Sequence, residues 1–430
     1  MGNGPQGEHM SAIRKSLLQL LFSGFTMRRW NDKLRPVELF EIDKQAHKMI
    51  VAFLLTHINS RDLFASNRLK LQQEVVEGGI FDYMYRLVIT DIKPPVFYRI
   101  RENARHYREL TDWVFAQLAP VVQPLDPAPG GFWDRFTRYH RRTERDTLAD
   151  RILKAAHLYA SEWEFSVIKP FNTFDEEIAH IAADFTRQMN AIRGVKGFDE
   201  IRRGAETPLG RLAAICGQLR FQIRWSDTPR IPETSVLGHE FLVGLYAYCF
   251  SLVVGACTAR RLNNFHAGLF HDLPELLTRD IISPVKSSVR ELPALIREYE
   301  LQEMERRILR PLRDAGYEDL EARLRYFLGL SGGEVTSEFD ESVREQDGTI
   351  RRLRGFDDIQ AHGNEDGLDP KDGQLLKACD NLAAFMEAHT SIRHGVPSAG
   401  LAEAVFRLKA RCRGEVLGPI AMGTVLADFD

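Results

Sequence analysis

Apolar residues return at helical spacing along most of this chain, and few runs alternate apolar and polar positions between tight turns. The pattern predicts an all-α protein in which no strand is required. From Asp146 to Val167 leucine, isoleucine and alanine recur with charges between them. From Leu375 to Ile392 the residues Leu376, Cys379, Ala383 and Met386 share one helical face. The run from Phe241 to Ala259 carries no formal charge and is long enough to pass a membrane-helix window. Its Gly244, Tyr246, Tyr248, Ser251 and Gly255, and the His239-Glu240 pair just ahead of it, favour a buried core helix with no membrane partner. The apolar run that follows Arg14 and Lys15 up to Phe25 lacks a small-residue cleavage site and is not expected to be a secretory leader. Pro124 to Gly131 reads as a turn-rich loop, and Glu345 to Gln374 as a long polar, Gly/Asp-rich excursion.

An internal repeat organises these elements. Arg29-Trp30-Asn31-Asp32 is echoed by Arg224-Trp225-Ser226-Asp227, and each is followed by a basic-proline turn and then a histidine, His47 in the first copy and His239 in the second. Gly79-Ile80-Phe81, with Asp91-Ile92 and Pro95-Val96 behind it, aligns without gaps to Gly268-Leu269-Phe270 with Asp280-Ile281 and Pro284-Val285. Ala149-Asp150-Arg151 and Cys379-Asp380-Asn381 close the two copies. The repeat predicts two tandem helical domains, 1–205 and 206–430, the second with a long insertion near 290–374.

Composition narrows the partners. A chain of 430 residues exceeds one ordinary compact core, which suits two domains. At 44% hydrophobic, 27% charged and a formal net charge of -3, the chain offers no electrostatic reason to bind a nucleic-acid polymer. Cys216, Cys249, Cys257, Cys379 and Cys412 are odd in number and lack CxxC spacing, so free thiols in a reducing, cytoplasmic setting are expected.

The chemistry lies in the second copy. His239, the adjacent His271 and Asp272, and Asp380 together offer mixed imidazole and carboxylate ligation for one divalent cation, with Mn, Co, Mg, Fe or Zn all suited. On a helix His271 and Asp272 project about 100° apart and reach one ion from a single turn, with His239 and Asp380 arriving from facing helices. Glu275, one helical turn beyond the pair, falls on the same side, where a carboxylate can do general acid/base work on water polarised by a metal. Any one of these residues alone would read as an ordinary core histidine or a helix cap; the ordered set carries the metal reading. The arginines Arg306, Arg307, Arg310 and Arg313, interleaved with acids, read as a solvated helix face.

These residues resemble the HD-domain superfamily, whose hallmark is H…HD…D, and within it the bacterial 5′-deoxynucleotidase-like branch. From His271 to Asp280, with Pro284-Val285-Lys286, the chain is similar to that branch's HDxxExLTxDxxxPVK signature, and Arg224-Trp225 to its upstream Arg-Trp. The resemblance runs from Arg224 to about His394. It implies two HD-like helical bundles and hydrolysis of a phosphate ester of a small nucleotide, a 5′-(deoxy)nucleoside monophosphate, with Asp272 and Glu275 in catalysis. It further implies Arg224 near the phosphate, Trp225 against the sugar and Asp280 in the nucleotide pocket. The excursion from Arg290 to Gln374 is long for this branch, so a nucleoside triphosphate or signalling-nucleotide hydrolase, or a nucleotide or metal sensor without turnover, stand as alternatives. The first copy has Asp82, Tyr83 and Arg86 where the second has His271, Asp272 and Glu275, so it is expected to be catalytically dead, with only His47 and Asp150 surviving. Members of the branch look like homodimers, and the degenerate copy would then serve as a built-in partner in a monomeric chain.

Overall fold

The computed structural model describes residues 12–278, 289–332, 335–345 and 347–430, and among them the chain is all-α apart from four very short strands. Its central element is the helix Val236–Val253, hereafter the His239 helix, in which every residue from Val236 to Leu252 is buried. Ser235 starts it by accepting the Gly238 N–H on its side chain, which satisfies one of the donors left over at a helix N-terminus. This is the apolar run that passes a membrane window. It is 94% buried within the chain and forms the core helix that its tyrosines and glycines predict.

Close contact between helices explains two of its neighbours. The His239 helix packs along Thr258–Phe270 with glycine facing glycine: a Cβ placed on Gly268 would lie 2.7 Å from the Gly244 nitrogen, so only hydrogen fits at the crossing. It also packs along Glu41–Ser60, the Lys44 helix, where the Ser235 hydroxyl donates to the Asp43 carboxylate. The Lys44 helix is covered in turn by Ala65–Ile89 and Leu148–Ile168. Phe53 on the Lys44 helix meets His266 at 4.8 Å and Phe270 at 5.1 Å, and one apolar cluster runs without a break from Ile13 to Phe429. The two halves of the sequence therefore share a core.

The same backbone connections occur in each half. Arg29 N–H donates to the Leu39 carbonyl and Glu41 N–H to Met27; Arg224 N–H donates to Thr234 and Val236 N–H to Gln222. Trp30 and Trp225 both adopt φ 56°, a left-handed conformation that tryptophan rarely takes, and each is steadied by a following arginine on nearby carbonyls, Arg35 on Trp30 and Arg230 on Arg224.

The polar stretch Glu345 to Gln374 is more ordered than its composition predicts. It contains Ile350–Arg352 paired antiparallel with Ser342–Arg344, the helix Phe356–His362 and the turn Asp366–Leu368. Two of its carboxylates pair within the fold: Asp372 with Arg260, both without exposed surface, and the partly exposed Asp369 with Arg323 and Asn263. Part of the polarity that reads as solvent exposure along the chain is satisfied there, while residues such as Arg351 and His362 stay exposed. Pro124 to Gly131 is a loop as expected, ending where Gly131 starts the helix Phe132–Arg141.

Candidate metal centre

Three segments converge on one point. The His239 helix contributes His239; the residues just past Thr258–Phe270 contribute His271 and Asp272; Gly373–Arg393 contributes Asp380. His239 Nε2 lies 3.1 Å from Asp380 Oδ1 and 3.9 Å from Asp272 Oδ2, and His271 Nε2 lies 3.2 Å from Asp272 Oδ2 and 4.0 Å from Asp380 Oδ1. All four expected ligands are thus brought together, and donor atoms of His239, His271 and Asp272 fall within 4.8 Å of one another.

The HD pair differs from its expected local structure. His271 caps the end of its helix and Asp272 lies in the turn beyond, because Pro274 has no N–H to continue the ladder and disfavours helical geometry in the residue before it. Glu275 starts a separate short helix, Glu275–Thr278, and its N–H donates to the Asp272 carbonyl at 2.9 Å. Its side chain stays 8% exposed, near enough to Glu240 to bear on its ionisation.

The donor chemistry fits a divalent cation. His271 Nδ1–H donates to the Gly268 carbonyl at 2.8 Å and His239 Nδ1–H to Glu387 at 3.2 Å, so both rings turn Nε2 toward the carboxylates. His271 Nε2 is buried, faces Asp272 Oδ2 at 3.2 Å and makes no well-aligned hydrogen bond among the described residues, which suits a metal-ligand position. Asp380 Oδ2 accepts from Lys377 at 2.9 Å and Asp272 Oδ2 from Arg224 at 3.1 Å. Burial alone would raise both carboxyls; His271, Arg224 and His239 hold Asp272 well below its usual range, and Lys377, His239 and His271 do the same to Asp380. Burial works against charge on His271, but Asp272, Asp380 and Glu240 outweigh it and push it up to about 10. A divalent cation held by His239, His271, Asp272 and Asp380 would take the place of that proton. Glu240 has no exposed surface and no hydrogen bond to either carboxyl oxygen among the described residues; burial pushes it far above the carboxylate range.

Glu387 is the functional residue that sequence reading missed. It has no exposed surface and takes His239 Nδ1, the Arg224 guanidinium at 3.3 Å and the Trp225 indole N–H at 2.8 Å. The available signal was its place two turns beyond Asp380 on the same helix face. Arg224 and Trp225 accordingly sit at the site, Arg224 between Glu387 and Asp272 and Trp225 half-buried under Arg230. Asp280, Pro284 and Val285 lie outside the described residues. Replacing Glu387 with glutamine is expected to weaken metal binding by about 10- to 100-fold, the usual effect of losing the partner that orients a ligating histidine, as read by metal titration of the folded protein.

In the first half two predicted correspondences give way. The matched connections of Glu41 and Val236 put Lys44, not His47, in the place of His239. Trp30 and Arg29 meet Glu164 at 3.0 and 2.7 Å as Trp225 and Arg224 meet Glu387, and this puts His157, not Asp150, in the place of Asp380. The contact recurs with its chemistry replaced: Lys44 Nζ donates to His157 Nδ1 at 2.7 Å. His47 instead bonds the Ala213 carbonyl at 2.8 Å, and Asp150 closes a capping box with Thr147 and pairs with Arg142 at 2.8 Å. Of the other replacements, Asp82 takes Lys48 at 2.6 Å, Tyr83 donates its hydroxyl to the Leu21 carbonyl and Arg86 pairs with Asp91.

Two imidazoles and two carboxylates drawn from separate helices, with an arginine bonded to one of them, define a bundle-core centre for a divalent cation. Residues 216–409 match the family model of the HD domain, and this part of the chain is an HD domain, a family generally of metal-dependent phosphohydrolases. No curated protein and no solved structure matches the chain.

Proposed function

We propose that the C-terminal half hydrolyses the phosphate ester of a small nucleotide, a 5′-(deoxy)nucleoside monophosphate. The observation that carries this reading is the Arg224 guanidinium, 12% exposed and 3.1 Å from Asp272, which puts a phosphate-binding fork beside the metal donors. His239, His271, Asp272 and Asp380 would hold the cation, which when bound acidifies water and polarises a phosphoryl oxygen. Arg224 binds and orients the phosphate, and Trp225 offers an aromatic face to the sugar, as Asp280 would offer a carboxylate further along the pocket. Glu275 takes the proton from the attacking water or delivers one to the leaving oxygen as the new O–P bond forms and the ester P–O bond breaks.

The test is phosphate release from a panel of nucleoside mono- and triphosphates with Mn, Co, Mg, Fe and Zn in turn. Release from monophosphates supports the proposal. Release only from triphosphates or signalling nucleotides gives the site to another hydrolase activity, and stoichiometric metal binding with no turnover gives it to a sensor. The N-terminal half, joined through a common core and repeating the same connections, is proposed as the intrachain counterpart of a second subunit, and gel filtration is expected to return a monomer. The five unpaired cysteines agree with a cytoplasmic setting.

A further inference from the structure

The N-terminal counterpart of the metal centre puts a lysine and a histidine where the second half has His239 and Asp380. Lys44 is 1% exposed, yet its ammonium is bonded to the imidazole of His157, and among the described residues no carboxylate lies within ion-pair distance of it. The nearby carboxylates are engaged elsewhere: Glu41 by Arg29 and Gln45, Glu164 by Arg29 and Arg220, Asp82 by Lys48. His157 is exposed and gathers the fields of Lys44, Lys48, Arg29 and Arg86. The arginines nearest the surface there carry carboxylate partners, Arg86 with Asp91 and Arg142 with Asp150. Arg86 and Arg142 are 20% and 30% exposed, and Arg142 and Arg145 lie over the ring of Tyr139, whose hydroxyl donates to Asp82 at 3.1 Å. Arg142 also lines a surface groove of about 450 Å³ with Asp134, Thr137, Arg138 and Arg141.

We propose that this Lys44–His157 cluster binds the phosphate group of a small phosphorylated ligand and holds it without hydrolysis, with Lys44 as the inner donor. Lys44 and His157 would grip the phosphate oxygens at the inner end, Arg86 replaces the acid/base carboxylate of the other half with a second cation, and Trp30 keeps the place of Trp225. A buried ammonium without a counter-charge costs stability, and burial pulls Lys44 down to about 7 despite Glu41. A phosphate supplies the missing counter-charge.

The test uses the full chain stripped of metal with a chelator, so that the second centre cannot hold phosphate through a cation. Inorganic phosphate and AMP are titrated in separate arms by calorimetry. One site per chain is expected in wild type and in Asp272→Ala, with at least tenfold weaker binding in Lys44→Met and in His157→Glu and retention in Lys44→Arg. Lys44→Met removes a buried charge and is expected to melt no lower than wild type, which separates loss of the site from loss of fold. Binding of inorganic phosphate assigns the site to the anion itself, and binding of AMP alone assigns it to phosphate esters; both support the proposal. No binding of either probe at millimolar concentration, or binding that survives both Lys44→Met and His157→Glu, overturns it. These outcomes are independent of whether the second half hydrolyses anything.

Discussion

Asp272→Ala is expected to abolish stoichiometric divalent-metal binding and to lower phosphate release about a thousandfold, on the order of 4 kcal/mol of transition-state stabilisation. Asp272 stands at the crossing of the site. Its Oδ2 lies 3.2 Å from His271 Nε2 and 3.9 Å from His239 Nε2, and it also accepts the Arg224 guanidinium. Truncation would therefore remove a proposed metal donor and release the Arg224 guanidinium at once. The side chain is 21% exposed and lies in a turn beyond a helix end, so the fold should survive the change. Metal titration and phosphate release, each beside a circular dichroism spectrum, check it. Undiminished release would place hydrolysis elsewhere in the molecule.

Glu275→Gln is expected to lower kcat by about 10²- to 10⁴-fold while leaving metal affinity within a few fold, since the role proposed for Glu275 is to carry a proton and not to hold the metal. Its backbone is fixed to Asp272 through the 2.9 Å hydrogen bond across the turn, and glutamine preserves the shape of the side chain without its basicity. The split between kcat and metal binding separates an enzyme from a sensor. An unchanged kcat would remove the acid/base role, and a site that binds metal without measurable turnover in either protein would favour sensing.

Local periodicity made the helical class legible in the sequence. The 3.6-residue return of apolar positions is a property of each segment alone, and the stretches from Asp146 to Val167 and from Leu375 to Ile392 fall on Leu148–Ile168 and Gly373–Arg393, while the uncharged run from Phe241 overlaps the buried His239 helix as far as Val253. The ligand set was legible for a related reason: histidine and aspartate in order have few other uses, and the Arg-Trp echo marks an unusual backbone conformation that both halves adopt. Proline could have warned that His271-Asp272 ends a helix.

What the sequence by itself determined, then, is the helical class, the four residues that converge on the candidate metal centre and the Arg-Trp echo whose backbone conformation both halves adopt. The tertiary structure alone decided which residues stand opposite one another. Sequence comparison matched His47 to His239 by identity across a gap, whereas hydrogen bonds between Glu41 and Met27, and between Val236 and Gln222, set the register and put Lys44 there. It also joined Glu387 to His239, Arg224 and Trp225, and paired Asp369 and the buried Asp372 with arginines in a stretch that reads as solvated. The physical reason is that a residue's face on its own helix follows from periodicity, while its partner on another helix depends on how far the two helices slide before their side chains interlock.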